Sequence, residues 1–220
     1  MFPDDAVPQR GGATSAVLTL FGLIMVALIG VSLAALFLSR QSDRTPGEAT
    51  SHQAVGLPMP GLRVQPIDDL ATNVDLVDVA GQVVLVNFWG TWCPPCRTEL
   101  PHMDALYKQY RDDPRFRLFA VSCGNGSSEN LPELAEETAG FLKHFGYDLP
   151  AYVDADFATR QMLAADPRYI PEFAFPTTVV ADANGIIRAV WVGYRPGFED
   201  EMAAEVRKLL AETTPEADPL

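Results

Sequence analysis

Cysteine and histidine are both scarce in this sequence, three of each in 220 residues. A structural zinc site draws four ligands from such residues, usually as two pairs at short spacing. One C-x-x-C pair is present, Cys93 and Cys96, and no H-x-x-x-H or second C-x-x-C accompanies it. The composition therefore points away from a zinc centre. Basic residues are also few, 16 Lys and Arg against 29 Asp and Glu, for a net charge of −13. Asp4 and Asp5 offset Arg10 and Arg40, so the residues beyond 40 carry that whole excess. An acidic domain without a basic stripe argues against nucleic acid and against adhesion to anionic lipid headgroups.

Charge of either sign is missing from one long stretch. No charged residue lies between positions 11 and 39, and 17–38 is almost wholly apolar. At about 1.5 Å per residue, such a segment crosses a hydrocarbon core of roughly 30 Å. A cleaved leader has an apolar region of only about 7–15 residues before a small-residue site. Ser32-Leu33-Ala34 imitates such a site, but the length favours an uncleaved single-pass anchor over 13–39, behind a flank of 1–12. Arg10 on one side, with Arg40 and Arg44 on the other, leans slightly towards a cytoplasmic domain. A tethered dithiol has more work in an oxidising compartment, so the domain is expected outside the cytoplasmic membrane. Residues 40–56 are polar with scattered Gly, Pro, Ser and Thr and read as a flexible linker. The folded domain is expected over 57–212 and a disordered tail over 213–220.

What is present in 57–212 is an alternation of strand and helix signals. Strands are predicted at 62–67, at the continuous apolar run 83–89, and at 116–122, 152–153, 177–181 and 186–192. The last two flank Asp182-Ala183-Asn184-Gly185, a hairpin turn by composition. Helices are predicted at 99–110, with Met103, Leu106, Tyr107 and Tyr110 on one face, and at 134–145, 157–164 and 199–210. The order implies an α/β domain, a mixed central sheet with helices on both faces.

The apolar run 83–89 leads into Cys93-Pro94-Pro95-Cys96, and a helix-like stretch follows over 97–110. A strand, a cysteine and then a helix place one sulfur at a helix N-terminus. There the orphan N–H groups and the helix dipole favour a thiolate. Two intervening residues bring the second sulfur back within bridging range. This is an arrangement for exchanging disulfides, with Cys93 the exposed nucleophile and Cys96, a turn deeper, resolving the mixed disulfide. Neither Pro94 nor Pro95 has an N–H to donate, which leaves the Cys96 amide as the nearest backbone donor. A Cys93 pKa only moderately lowered is expected, and a reducing rather than strongly oxidising pair.

The segment Asn87-Phe88-Trp89-Gly90-Thr91-Trp92-Cys93-Pro94-Pro95-Cys96 resembles the active-site stretch of membrane-anchored thiol–disulfide oxidoreductases of the TlpA/ResA type. Phe175-Pro176-Thr177-Thr178 resembles the proline loop of the same proteins. The resemblance covers roughly 57–212. It implies a thioredoxin fold outside the cytoplasmic membrane that reduces or exchanges protein disulfides, in several members during cytochrome c maturation. No bound cofactor would be needed, only an upstream membrane electron donor, and the partner would be a disulfide-containing protein such as apocytochrome c. It also implies a cis peptide at Phe175-Pro176 facing the cysteines, with Phe175 and Thr177 lining the place where a substrate segment pairs. An ordinary proline opening an edge strand is the plain alternative. Pro101 matches a helix-kinking proline of the fold.

Asn87 stands where thioredoxins proper carry a buried acid. Glu99 matches a glutamate that the group places near its cysteine pair. It is either partly buried, with a raised pKa and a proton to exchange with Cys96, or a solvated first-turn acid. Trp92 is expected to form an apolar rim for the partner, and Trp89 to fill the core. His102 reads as a surface residue, Cys123 as a small half-buried thiol, and 124–137 as a surface loop that selects the partner. Two other chemistries share parts of this pattern. Copper-handling modules of the fold use the cysteine pair as ligands, usually with three residues between them and a histidine on a late loop. Here the spacing is two, and no histidine follows His144. Peroxide-reducing enzymes need a Thr three residues before the reactive Cys and a Pro before that, positions held by Gly90 and Val86.

Overall fold

Strand β3, Val83–Trp89, is apolar at every position but Asn87 and is buried along its whole length. In the computed structural model it is an inner strand of a seven-stranded sheet of order β2-β1-β5-β4-β3-β6-β7. The structure describes residues 48–70, 72–126, 130–154 and 157–213, with 23–26, 28–30 and 32 of the N-terminal apolar run. The chain divides into two units, Met1–Pro46 and Gly47–Leu220. In the first, the described residues are helical, and most of the expected anchor lies outside them. Among the described residues no helix is long and apolar enough to cross a membrane.

The second unit holds the sheet. β3 pairs in parallel with β4, Phe116–Ser122, which pairs in parallel with β5, Ala151–Val153. On its other side β3 pairs antiparallel with β6, Thr177–Ala181, and β6 with β7, Ile187–Val192. β1, Arg63–Pro66, joins antiparallel to β5 and carries the two-residue β2, Val74–Asp75. The period of two sorts β3 between two cores. Val83, Leu85 and Trp89 enter one, while Val84, Val86 and Phe88 enter the other.

The first core takes side chains from three long helices: α1, Pro94–Tyr110; α2, Leu131–Phe145; and α4, Phe198–Glu212. The second core takes Leu163 from the short α3, Ala158–Ala165. The rest of its cover comes from chain segments rather than long helices, among them Ala54, Met59, Leu62, Tyr169 and Ile170.

Several boundaries differ from the sequence expectation for local reasons. α1 begins at Pro94, five residues earlier than predicted, because prolines at the first helical positions cost no intrahelical hydrogen bond. α2 begins at Leu131 for the same reason, with Pro132 in its first turn, so much of the expected loop 124–137 is helix. β2 and the 3-10 helix Leu76–Val79 were not predicted. Reciprocal capping between Asp75 and Asp78 secures that short helix.

The expected linker also ends sooner. Residues 48–56 carry a 3-10 helix, Ala49–Ser51, and bury Ala49 and Ala54. Gly56 N–H donates to Ile187 O at 2.9 Å, and Gln53 Nε2 donates to Pro167 O at 2.7 Å and to Tyr169 O at 3.0 Å. This arm follows β7 as part of the folded unit.

Candidate active site

β3 delivers the chain to a turn whose backbone is shaped by a close approach. Trp92 folds its indole back so that Nε1 donates to Cys123 O at 2.9 Å. A Cβ at Gly90 would collide with that indole and lie 2.8 Å from the same carbonyl oxygen. Only glycine fits. Thr91, next in the chain, donates its hydroxyl to the Glu137 carboxylate and so ties the turn to α2.

Cys93 is the N-cap of α1, with Pro94 and Pro95 opening the helix. The Cys96 N–H donates to Cys93 Sγ at 3.3 Å, the donor expected once the two prolines had removed the others. Cys93 and Cys96 are joined in a disulfide of 2.07 Å, with Cα atoms 5.3 Å apart. One expectation needs correcting here. Cys93 is 2% exposed and Cys96 wholly buried, so in the oxidised protein the nucleophilic sulfur is covered rather than open.

The Phe175-Pro176 peptide is cis, as the resemblance implied. Phe175 meets Trp92 edge to face at 5.3 Å, and the contact continues through Phe173 to Phe88. Trp92 is 39% exposed, whereas Trp89 is fully buried. Thr177 does not share that exposure. Its side chain is buried, and its hydroxyl donates to Ala174 O at 2.5 Å, closing the turn around the cis bond. Any contact it makes with a substrate is through backbone alone. Cys123 is wholly buried rather than half-buried, and its thiol donates to Val121 O at 3.5 Å.

Glu99 resolves its two readings towards burial, at 2% exposure. It sits one turn beyond Cys96 on α1, a spacing that puts the two side chains on one helix face. Asn87 faces it from β3 and uses both amide hydrogens, one to Glu99 Oε2 at 2.7 Å and one to Thr178 Oγ1 at 2.8 Å. Among the described residues, Glu99 Oε1 and Asn87 Oδ1 have no hydrogen-bond partner. Burial raises the Glu99 pKa from an ordinary 4.5 to about 8. The Asn87 bond pulls it down and the Glu199 charge pushes it up, both less strongly. A neighbouring group, missed from sequence, completes this wall. Tyr194 OH donates to Glu199 Oε2 at 3.2 Å and stacks on His102. Its own pKa is pushed up to about 12, by burial first and then by Glu199. No sequence signal marks Glu199, one of three acids in the first turn of α4.

A disulfide bridging the first turn of a helix, against a cis-proline loop, is the geometry of thiol–disulfide exchange. Residues 55–190 match the AhpC/TSA family. The chain belongs to the AhpC/TSA family. The chain is 30% identical over 189 residues to the thiol-disulfide oxidoreductase ResA of Halalkalibacterium halodurans, covering 86% of this chain and 92% of that one. It is 35% identical over 99 residues to the thiol:disulfide interchange protein DsbE of Pseudomonas aeruginosa, covering 41% and 54%. The crystal structure of a thiol:disulfide interchange protein of the thioredoxin family from Chlorobium tepidum is 25% identical, with a TM-score of 0.54. It covers 70% of this chain and 95% of that one. This AhpC/TSA member thus has a thioredoxin fold, and with its Cys93/Cys96 pair it is a protein thiol–disulfide oxidoreductase of the ResA/DsbE kind.

Proposed function

We propose that this oxidoreductase is a membrane-tethered reductant of protein disulfides outside the cytoplasm, with apocytochrome c as a fitting substrate. The observation that carries the reading is the buried Glu99 behind a Cys-Pro-Pro-Cys disulfide. Its pKa of about 8 lies close to that of a free thiol, about 8.5, so a proton passes between carboxyl and sulfur with little free-energy cost.

In the reduced enzyme the Cys93 thiolate attacks one sulfur of the substrate disulfide. A Cys93–substrate bond forms, the substrate S–S bond breaks, and the second substrate sulfur leaves as a thiolate that takes up a proton. Cys96 then gives its proton to the Glu99 carboxylate and attacks Cys93. The mixed disulfide breaks, the departing substrate sulfur takes up the proton that Glu99 holds so that the substrate leaves as a dithiol, and the Cys93–Cys96 disulfide remains. Two electrons have passed to the substrate, and an upstream membrane donor must return them. Trp92 and Phe175 give the substrate an apolar rim, and the backbone beside Pro176 gives it a place to pair. The uncharged run 11–39 supplies the tether.

A reductant must have a low potential. With the chain equilibrated in graded dithiol buffers and read by thiol labelling and mass, a value near or below about −250 mV is expected. A value near about −120 mV would make the protein an oxidant and overturn this assignment.

A further inference from the structure

β3, β4 and β5 run parallel, with Trp89 opposite Ser122 and Ser122 opposite Val153. The chain leaving β5 for α3 therefore emerges at the end of the sheet where β3 leads to Cys93. A cavity of about 390 Å³ lies there, and two pairs of side chains line it. Trp92 and Phe175 meet edge to face at 5.3 Å, and the Arg160 guanidinium lies over the Phe157 ring at 4.6 Å. Gln161 and the loop 124–126 complete the wall. Trp92 adjoins Cys93 and Phe175 adjoins Pro176, so whatever fills the cavity is continuous with the segment that reaches the sulfur.

The α3 side of this cavity is held in place by a buried acid. Phe157, the N-cap of α3, has a φ of 57°, and among the described residues no other residue but glycine is left-handed. A bulky L-residue resists that conformation, so its surroundings must impose it. Asp154, wholly buried, does so. Its backbone oxygen accepts from the Phe157 N–H at 3.2 Å, and its carboxylate accepts from the Thr159 and Arg160 N–H groups, each at 2.9 Å. The same carboxylate pairs with Arg160 Nε at 3.2 Å. Arg160 is the sole ionisable side chain among the described residues of the lining, and its charge is thus already matched. The hollow is electrically neutral, and a charged occupant would leave water without gaining a partner.

We propose that this cavity is a specificity pocket: it takes one uncharged aromatic side chain of the substrate polypeptide, beside the cysteine that Cys93 attacks, with Phe157 as the residue that sets the preference. The inference rests on the reductant and rim readings given above. Three rings, from Trp92, Phe157 and Phe175, offer edges and faces that suit an aromatic occupant better than an aliphatic one. The volume lies at the small end of ligand pockets, room for a single large side chain and not for a second element of a partner's fold. The Gln161 amide serves a phenol or indole polar edge in the same place.

The test follows the reduced full chain in single turnover against three peptides of one sequence. Each is closed by an internal disulfide and carries Phe, Ala or Asp beside the reactive cysteine. Every rate is divided by the rate at which dithiothreitol reduces the same peptide, which removes differences in intrinsic reactivity. The Phe peptide is expected to exceed the Ala peptide about tenfold, and the Asp peptide to fall at or below Ala. Phe157→Gly, which suits the left-handed φ, should bring the Phe-to-Ala ratio close to unity. Gln161→Phe, which fills the cavity from an exposed helix position, should do the same. A native ratio near unity, a preference for Asp, or a ratio kept by either variant overturns this inference alone. Reduction of none of the three peptides overturns the reductant reading, and this inference with it. Trp92→Ala tests the rim: unchanged rates on all three peptides would remove the rim and the pocket together.

Discussion

Replacing Glu99 with Gln should change how stability depends on pH, and by an amount the structure sets. In the unfolded chain the Glu99 carboxyl titrates near 4.5; in the folded protein it titrates at about 8. Between those values the folded state holds a proton that the unfolded state has lost. Stability therefore falls as pH rises through that window, and is flat above and below it on account of this group. At a little over 1 kcal/mol per pH unit, the whole window is worth about 5 kcal/mol, most of it below pH 7. The substituted amide would be uncharged at every pH, and its side-chain oxygen can still accept from Asn87. The Glu99→Gln chain should match the native one near pH 4.5 and exceed it in stability by several kcal/mol at pH 9. Urea unfolding of both chains at half-unit pH steps, with the disulfide intact, measures the difference directly. A difference constant to within about 0.5 kcal/mol across the range would refute the argument, because it would mean that Glu99 ionises in the fold as freely as in water.

Two further outcomes follow from the same site. Gly90→Ala should displace the Trp92 indole and cost about 1–3 kcal/mol of stability, with slower exchange on protein disulfides than on small ones. Native-like rates on both substrates would show that Trp92 is not part of the rim. Cys96→Ala should accumulate a mixed disulfide with substrate, visible as a dithiol-sensitive adduct by mass, whereas Cys93→Ser should form none and lose insulin-reductase activity; an adduct on the Cys93→Ser chain would reverse the two roles.

How much of this was legible before the structure varies by residue. The run 83–89 reads as a strand buried on both faces because it has no polar alternation, and that is how it folds. The burial of Trp89 and the exposure of Trp92 were legible from their distance to Cys93. The start of α1 was not, because Pro94 and Pro95 look like helix breakers unless they fall in the first turn, where their missing N–H groups cost nothing. Glu99 was ambiguous for a deeper reason. A first-turn glutamate has the same local sequence whether it faces water or core. Only Asn87, twelve residues back, and Thr178, which shares the Asn87 amide, decide the question. The arm was misread because 40–56 is polar with scattered Gly, Pro, Ser and Thr, while its anchorage rests on two small alanines and on backbone hydrogen bonds, neither of which composition reports.

That arm also determines where the folded unit can be cut. β7 is the last strand of the sheet, and its outer backbone groups would invite pairing with another chain if left bare. A chain begun at 57, where composition alone would place the boundary, keeps Leu57 beside Ile187 but loses the Gly56 bond and the buried Ala49 and Ala54. It would leave the far half of that strand open to edge-to-edge self-association. Begun at or before 48, the same domain brings its own cover.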